Sequence, residues 1–198
     1  SELFADIVGQ DQITSYLQRV HDTGNATHAY LIAGGDESLG ADLALRFAAG
    51  LIARGDAQAQ DEVLRRVHPD LHVYTPGGTD GYLVEQIREL TRDAELAPIR
   101  AASKVYIVQD AHRLAGAPAN AFLKTLEEPP AHAIFILATT EKHKIIPTIL
   151  SRCQIYDFNR IRVEDSVEYL KYIASQEGIT ADDESLNLIA QKLSLIHI

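Results

Sequence analysis

Hydrophobic positions change period several times along the chain. From Asp11 to Thr23, Ile13, Leu17 and Val20 recur at the spacing that places them on one helical face, and Gly24 supplies a stop. The next apolar run, His28 to Ala33, is short and continuous and ends at Gly34-Gly35, after which a helical pattern runs from Ala41 to about Arg54. The order is strand, glycine turn, helix. Short apolar runs return at Leu71 to Tyr74, Lys104 to Val108 and Ala133 to Ala138, separated by helical stretches near Leu83 to Leu96 and Pro118 to Glu128. Such alternation predicts an α/β fold in which a parallel sheet carries helices on both faces. The insert 55–66, rich in Ala, Gln, Asp and Glu, reads as a short surface helix at most.

After Phe158 the pattern is purely helical, with Val163 to Gln176 and Asp182 to Lys192 joined by Gly178-Ile179-Thr180. Two such helices bury too little surface to stand alone. The pattern therefore predicts a first domain over 1–159 and the beginning of a small helical domain over 160–192. The last six residues, 193–198, read like a translated sequencing adapter and are expected to be non-native.

With 198 residues, 46% of them apolar, the chain is long enough to bury a substantial core. No run approaches the ~20 apolar residues of a membrane helix, and no basic-then-apolar export signal opens the sequence, so a cytoplasmic location is expected and no membrane partner. One cysteine, Cys153, allows no internal disulfide and too few thiolates for a cysteine-based zinc site. A formal net charge of −10 opposes broad attraction to nucleic acid, whose binding depends on clustered Lys and Arg. DNA, if involved, is expected to be held by other subunits.

The glycine turn after the first strand sits where a phosphate-binding loop would. A working loop reads G-x-x-x-x-G-K-S/T, its amides cradling phosphates while the lysine and hydroxyl meet the terminal phosphates and magnesium. Here Gly35 and Gly40 keep the spacing, but Ala41 and Asp42 follow. Asp36, Glu37 and Asp42 add carboxylates where phosphate oxygens would lie. The residues alone leave open both a lost nucleotide site and an ordinary strand-to-helix turn. After Val105 to Val108 comes Gln109-Asp110-Ala111-His112, so Asp110 stands where ATPases hold magnesium and Ala111 replaces the glutamate that orients water. A plain strand-end cap is the other reading of Asp110.

Several segments together resemble the bacterial clamp-loader subunits of DNA polymerase III, members of the AAA+ family. They are Phe4-Ala5-Asp6-Ile7-Val8-Gly9-Gln10, His28-Ala29-Tyr30-Leu31, His68-Pro69-Asp70, Leu123-Lys124-Thr125-Leu126-Glu127-Glu128-Pro129-Pro130 and Ser151-Arg152-Cys153. The missing loop lysine and the Asp110-Ala111 pair are similar to delta-prime, the member without ATPase activity, whereas 141–176 is closer to gamma/tau. The resemblance implies a stator that assembles with gamma/tau and delta subunits and, through the complex, with the sliding clamp and primer-template DNA. It implies that Arg152, with Ser151 and Cys153 as its motif, is an arginine finger for a neighbouring ATP site. The residues themselves also allow a surface arginine paired with an acidic side chain. Thr139-Thr140 takes the family's sensor position, vestigial if no nucleotide binds. On this reading no ATP and no intrinsic ATPase are expected, although the chain would be a component of the polymerase holoenzyme.

The alternatives are a gamma/tau-type ATPase fragment and an AAA+ adaptor outside replication. The family's four-cysteine zinc module falls at 55–67, where this chain has no cysteine, so no zinc or other metal is expected. His68 and His72 then flank a strand rather than ligate. The resemblance also implies a natural protein continuing past Lys192 into the rest of the lid and a collar domain.

Overall fold

The computed structural model describes residues 3–7, 9–158 and 163–196. The elements are α1 (Asp11–Thr23), β1 (Ala29–Ala33), α2 (Glu37–Ala53), α3 (Ala57–Leu64), β2 (Leu71–Tyr74), α4 (Val84–Ala94), β3 (Lys104–Val108), α5 (Gly116–Glu127), β4 (Ala133–Thr139), α6 (Pro147–Leu150), β5 (Gln154–Asp157), α7 (Val163–Gln176) and α8 (Asp183–Ile196). All five strands are parallel, in the order β2-β3-β4-β1-β5.

Side-chain alternation along the buried strands makes the three layers. Tyr30, Ile32, Val105, Ile107, Ile134 and Ile136 face Ile13, Leu17 and Val20 of α1, Leu43 and Phe47 of α2, and Val63 of α3. Leu31, Tyr106, Val108, Phe135 and Leu137 point the other way, onto Ile87 and Leu90 of α4, Phe122 and Leu126 of α5, and Ile149 of α6. A strand covered on both faces reads as an unbroken apolar run, which is why β1, β3 and β4 were visible in the sequence. Each fully buried Leu, Ile or Phe contributes ~1.5–3 kcal/mol to this core.

Two elements differ from expectation. Helix α2 begins at Glu37, not Ala41, because the Asp36 side chain caps it by accepting a hydrogen bond from Leu39 N–H at 3.0 Å. Strand β5 was not anticipated: it pairs with β1 at the sheet edge, and its polar ends, Gln154 and Asp157, hide it from a search for apolar runs. The 55–66 insert does hold a helix, α3, anchored by buried Ala59 and Val63.

Helices α7 and α8 pack through Val167, Leu186 and Ala190, with Val163 and Leu170 beside them. Helix α8 runs on to Ile196, past the expected start of a tail at 193; His197 and Ile198 lie outside the described residues, as does the expected domain boundary at 159/160.

Candidate functional site

Strand β1 feeds α2 on one face of the sheet, while β3 and β4 feed α5 and α6 on the other. Between β1 and β4 the connections part, and parallel sheets bind ligands in the crevice at that point, beyond the strand C-termini. The crevice is here a cavity of about 30 Å³, bordered by Asp36, Glu37 and Gly40 after β1, Asp110 after β3, and Thr139 and Thr140 after β4. It has room for a water or two.

The chain's own groups fill the rest. The Asp36 carboxylate takes the Leu39 amide, one of the helix N-terminal donors that would otherwise serve an anion. Phe158, buried and hydrogen-bonded through its N–H to Ala33 O at 2.8 Å, lays its ring over the turn. A Cβ on Gly34 would overlap that ring, and one on Gly40 would come within 3.3 Å of it. Gly34 is thus needed for the close approach, and at Gly40 a side chain would push the ring by a few tenths of an ångström. Gly35 is exposed at the turn, and Ala41 borders the cavity without any polar group.

Asp42 departs from expectation. Its carboxylate accepts a hydrogen bond from Arg46 Nε at 2.9 Å, and Arg46 also grips Asp6 with two bonds of 2.6 and 2.9 Å. Asp42 is drawn away from the cavity, so of the three carboxylates that follow β1 Asp36 and Glu37 border it, together with Asp110. Arg46 further donates to Leu3 O at 3.0 Å. Its hydrogen bond to Asp6 holds that carboxyl below its ordinary value. This is the structural meaning of the Phe4-to-Gln10 segment, of which Val8 lies outside the described residues: it clasps α2.

Asp110 adopts the left-handed region, φ 48°, which Asp tolerates better than most residues, and its carbonyl accepts Arg113 N–H at 2.8 Å. Ala111 is buried, with no carboxylate to orient a water. The Thr139 hydroxyl is engaged by His112 Nδ1 at 2.9 Å and by Glu141 N–H at 3.0 Å, while His112 Nε2 lies 3.4 Å from Glu141. Thr140 stands half-buried at the rim. His112 and Glu141 were not singled out in the sequence; the fold brings His112 to Thr139, while Glu141 is its neighbour two residues on.

The motif Ser151-Arg152-Cys153 links α6 to β5 and does not border the cavity. Arg152 Nη1 donates to Thr148 O at 2.5 Å and to Ser151 Oγ at 3.3 Å, and its Nη2 pairs with Glu127 at the end of α5. Ser151 Oγ donates to the same Thr148 carbonyl at 3.2 Å. Burial pushes the Cys153 thiol up to about 12, so it stays protonated and is a packing residue, not a nucleophile.

His68-Pro69-Asp70 is likewise a structural device. Fully buried Asp70 accepts hydrogen bonds from three successive amides, Ile99 at 2.6 Å, Arg100 at 2.8 Å and Ala101 at 2.7 Å, and its own N–H donates to His68 Nδ1 at 3.1 Å. Among the described residues no group of three or more His, Cys, Asp or Glu is arranged to hold a metal. Among them also, no helix is long and apolar enough to cross a membrane.

The family model for "DNA polymerase III, delta subunit" matches residues 9–162. The chain belongs to this family. It is 36% identical over 195 residues to DNA polymerase III subunit tau of Bacillus subtilis, covering 94% of this chain and 34% of that one. Among solved structures, a DNA polymerase III gamma subunit-related protein from Thermotoga maritima is 25% identical with a TM-score of 0.61, over 89% of this chain and 57% of that one. The RuvB Holliday junction branch migration motor of the same organism matches at 18% identity, TM-score 0.65, over 96% of this chain and 58% of that one. The sheet and its flanking helices are thus the AAA+ fold. The chain spans about a third of the tau relative's length.

Proposed function

We propose that the chain is a clamp-loader subunit of the delta-prime kind, a stator that does not use ATP itself and presents Arg152 to the ATP site of a neighbour. One observation carries this reading: the turn after β1 is occupied by the chain's own Asp36 and Phe158, where a nucleotide would need bare amides and open space. Ala41, Asp42 and Ala111 stand where the lysine, hydroxyl and glutamate of an ATPase would be. Arg152, in contrast, keeps a partly exposed guanidinium outside the cavity lining, a planar and permanently charged group suited to a phosphoryl transition state. The partners on this reading are gamma/tau and delta subunits, with the sliding clamp and primer-template DNA engaged through the complex.

The names of the relatives favour a second reading, a fragment of a gamma/tau-type ATPase. Calorimetric titration of the full-length gene product with Mg-ATP separates the two. The stator reading expects no heat of binding at micromolar concentrations; affinity typical of an AAA+ ATPase would replace it with the gamma/tau reading.

A further inference from the structure

We propose that Glu127 is a latch on Arg152, a positioning residue that folds the guanidinium back onto its own subunit until an adjoining nucleotide draws it out. The inference rests on the reading of Arg152 as a finger acting in trans. Arg152 Nη2 pairs with the Glu127 carboxylate, while Nη1 is spent on Thr148 O and Ser151 Oγ. A guanidinium fork presents the same N–H face to a carboxylate as to a phosphate. The two anions therefore compete, and reaching a phosphoryl oxygen means leaving Glu127. The carboxylate also repels an approaching phosphate while the pair is closed. Glu127 is half-exposed and Arg152 less so, which makes the pair weak enough to open. Exposed pairs of this kind correspond to ~1.4- to 5-fold in an equilibrium. The Leu-Glu-Glu-Pro end of α5 thereby acquires a role that its buried Leu126 does not explain: it sets how readily the finger is released.

The test uses a complete clamp loader reconstituted with the full-length subunit, and reads DNA- and clamp-stimulated ATP hydrolysis for wild type, Glu127→Gln, Arg152→Ala and the double variant. The latch expects Glu127→Gln to raise kcat/KM by ~1.4- to 5-fold, and to have no effect once Arg152 is Ala. A merely structural Glu127 would act equally in both backgrounds, which overturns the latch. Unchanged or lowered hydrolysis in Glu127→Gln, with Arg152→Ala impaired, overturns the latch and leaves the finger standing. Full hydrolysis in Arg152→Ala overturns the finger and the latch with it.

Discussion

Gly34→Ala tests whether Phe158 truly closes the turn after β1. Gly34 does not occupy the left-handed region, so an alanine fits its backbone, and in open space the change would stabilise by ~0.4–1 kcal/mol through the unfolded chain. The structure allows no open space, because the new methyl would overlap the Phe158 ring, a rigid group held by burial and by its N–H bond to Ala33 O. Overpacking of this sort costs ~1–3 kcal/mol. Phe158→Ala alone should cost about 3–5 kcal/mol, the range for emptying a buried aromatic site. In that background the obstruction is gone, and Gly34→Ala should become neutral or mildly stabilising. The expected coupling is therefore about 2 kcal/mol, read from urea titrations of the four variants followed by far-UV circular dichroism, with the slopes compared to confirm one transition. Equal cost of Gly34→Ala in both backgrounds would refute the contact, and with it the claim that the ring excludes nucleotide. Phe158→Leu, which keeps most of the volume, provides the same comparison if Phe158→Ala fails to fold.

Two further expectations concern the framework. Asp70→Asn should cost about 3 kcal/mol, because an amide oxygen replaces only part of a carboxylate that accepts three backbone N–H bonds. Burial alone would raise the Asp70 carboxyl, but those bonds outweigh it and hold the group below its ordinary 3.8; its stabilisation is fully present above that value and is lost as pH falls through the lower native one. Denaturation midpoints measured from pH 5 to pH 2 should therefore fall more steeply in wild type than in Asp70→Asn, and parallel curves would contradict the amide cage. Cys153, its thiol held up to about 12 by burial, should resist N-ethylmaleimide at pH 8 and react fully only in denaturant; rapid labelling of the folded protein would show that the residue is open to solvent.

Much of the fold was legible because burial on two faces leaves unbroken apolar runs, and the helices between them kept a clear period. Strand β5 escaped because only its middle residues are apolar and it lies at the edge. The start of α2 was misplaced for a different reason. The phosphate-loop template favours a helix from the second glycine, whereas Asp36 followed by Glu37 is a local cap signal for a helix beginning at once, and the local hydrogen bond prevailed. That Ala41, Asp42 and Ala111 are not the lysine, hydroxyl residue and glutamate of an ATPase could be read directly. What replaced those groups could not. The Asp42–Arg46 pair is local, four residues apart on α2, but Phe158 reaches Gly34, Arg46 reaches Asp6, and Glu127 meets Arg152 only after the sheet is assembled, and no local pattern encodes contacts between residues so far apart in sequence.

On the proposed stator reading, a nucleotide site and an arginine finger obey different physical requirements, so a chain can lack the one and keep the other. A phosphate cradle needs free amides at a helix N-terminus and glycines open to a ligand; here Asp36 caps the Leu39 amide and the Phe158 ring packs on Gly34 and Gly40. An arginine that serves another molecule needs none of that cavity. It needs a rigid edge and a fork not wholly consumed by its own subunit. The four-residue helix α6 supplies the edge: Pro147 sets its first turn and Ile149 is buried in the core beneath α5. Ser151 secures the exit by bonding Thr148 O, and the half-buried Cys153 plugs the start of β5. Arg152 stands between these anchors, held on one side by a backbone carbonyl and on the other by a carboxylate that water or a phosphate can displace. Ser151, though exposed, spends its hydroxyl on Thr148 O, and Cys153 packs against the core, so on the proposed reading Arg152 is the member of the motif whose charge is available to a neighbour.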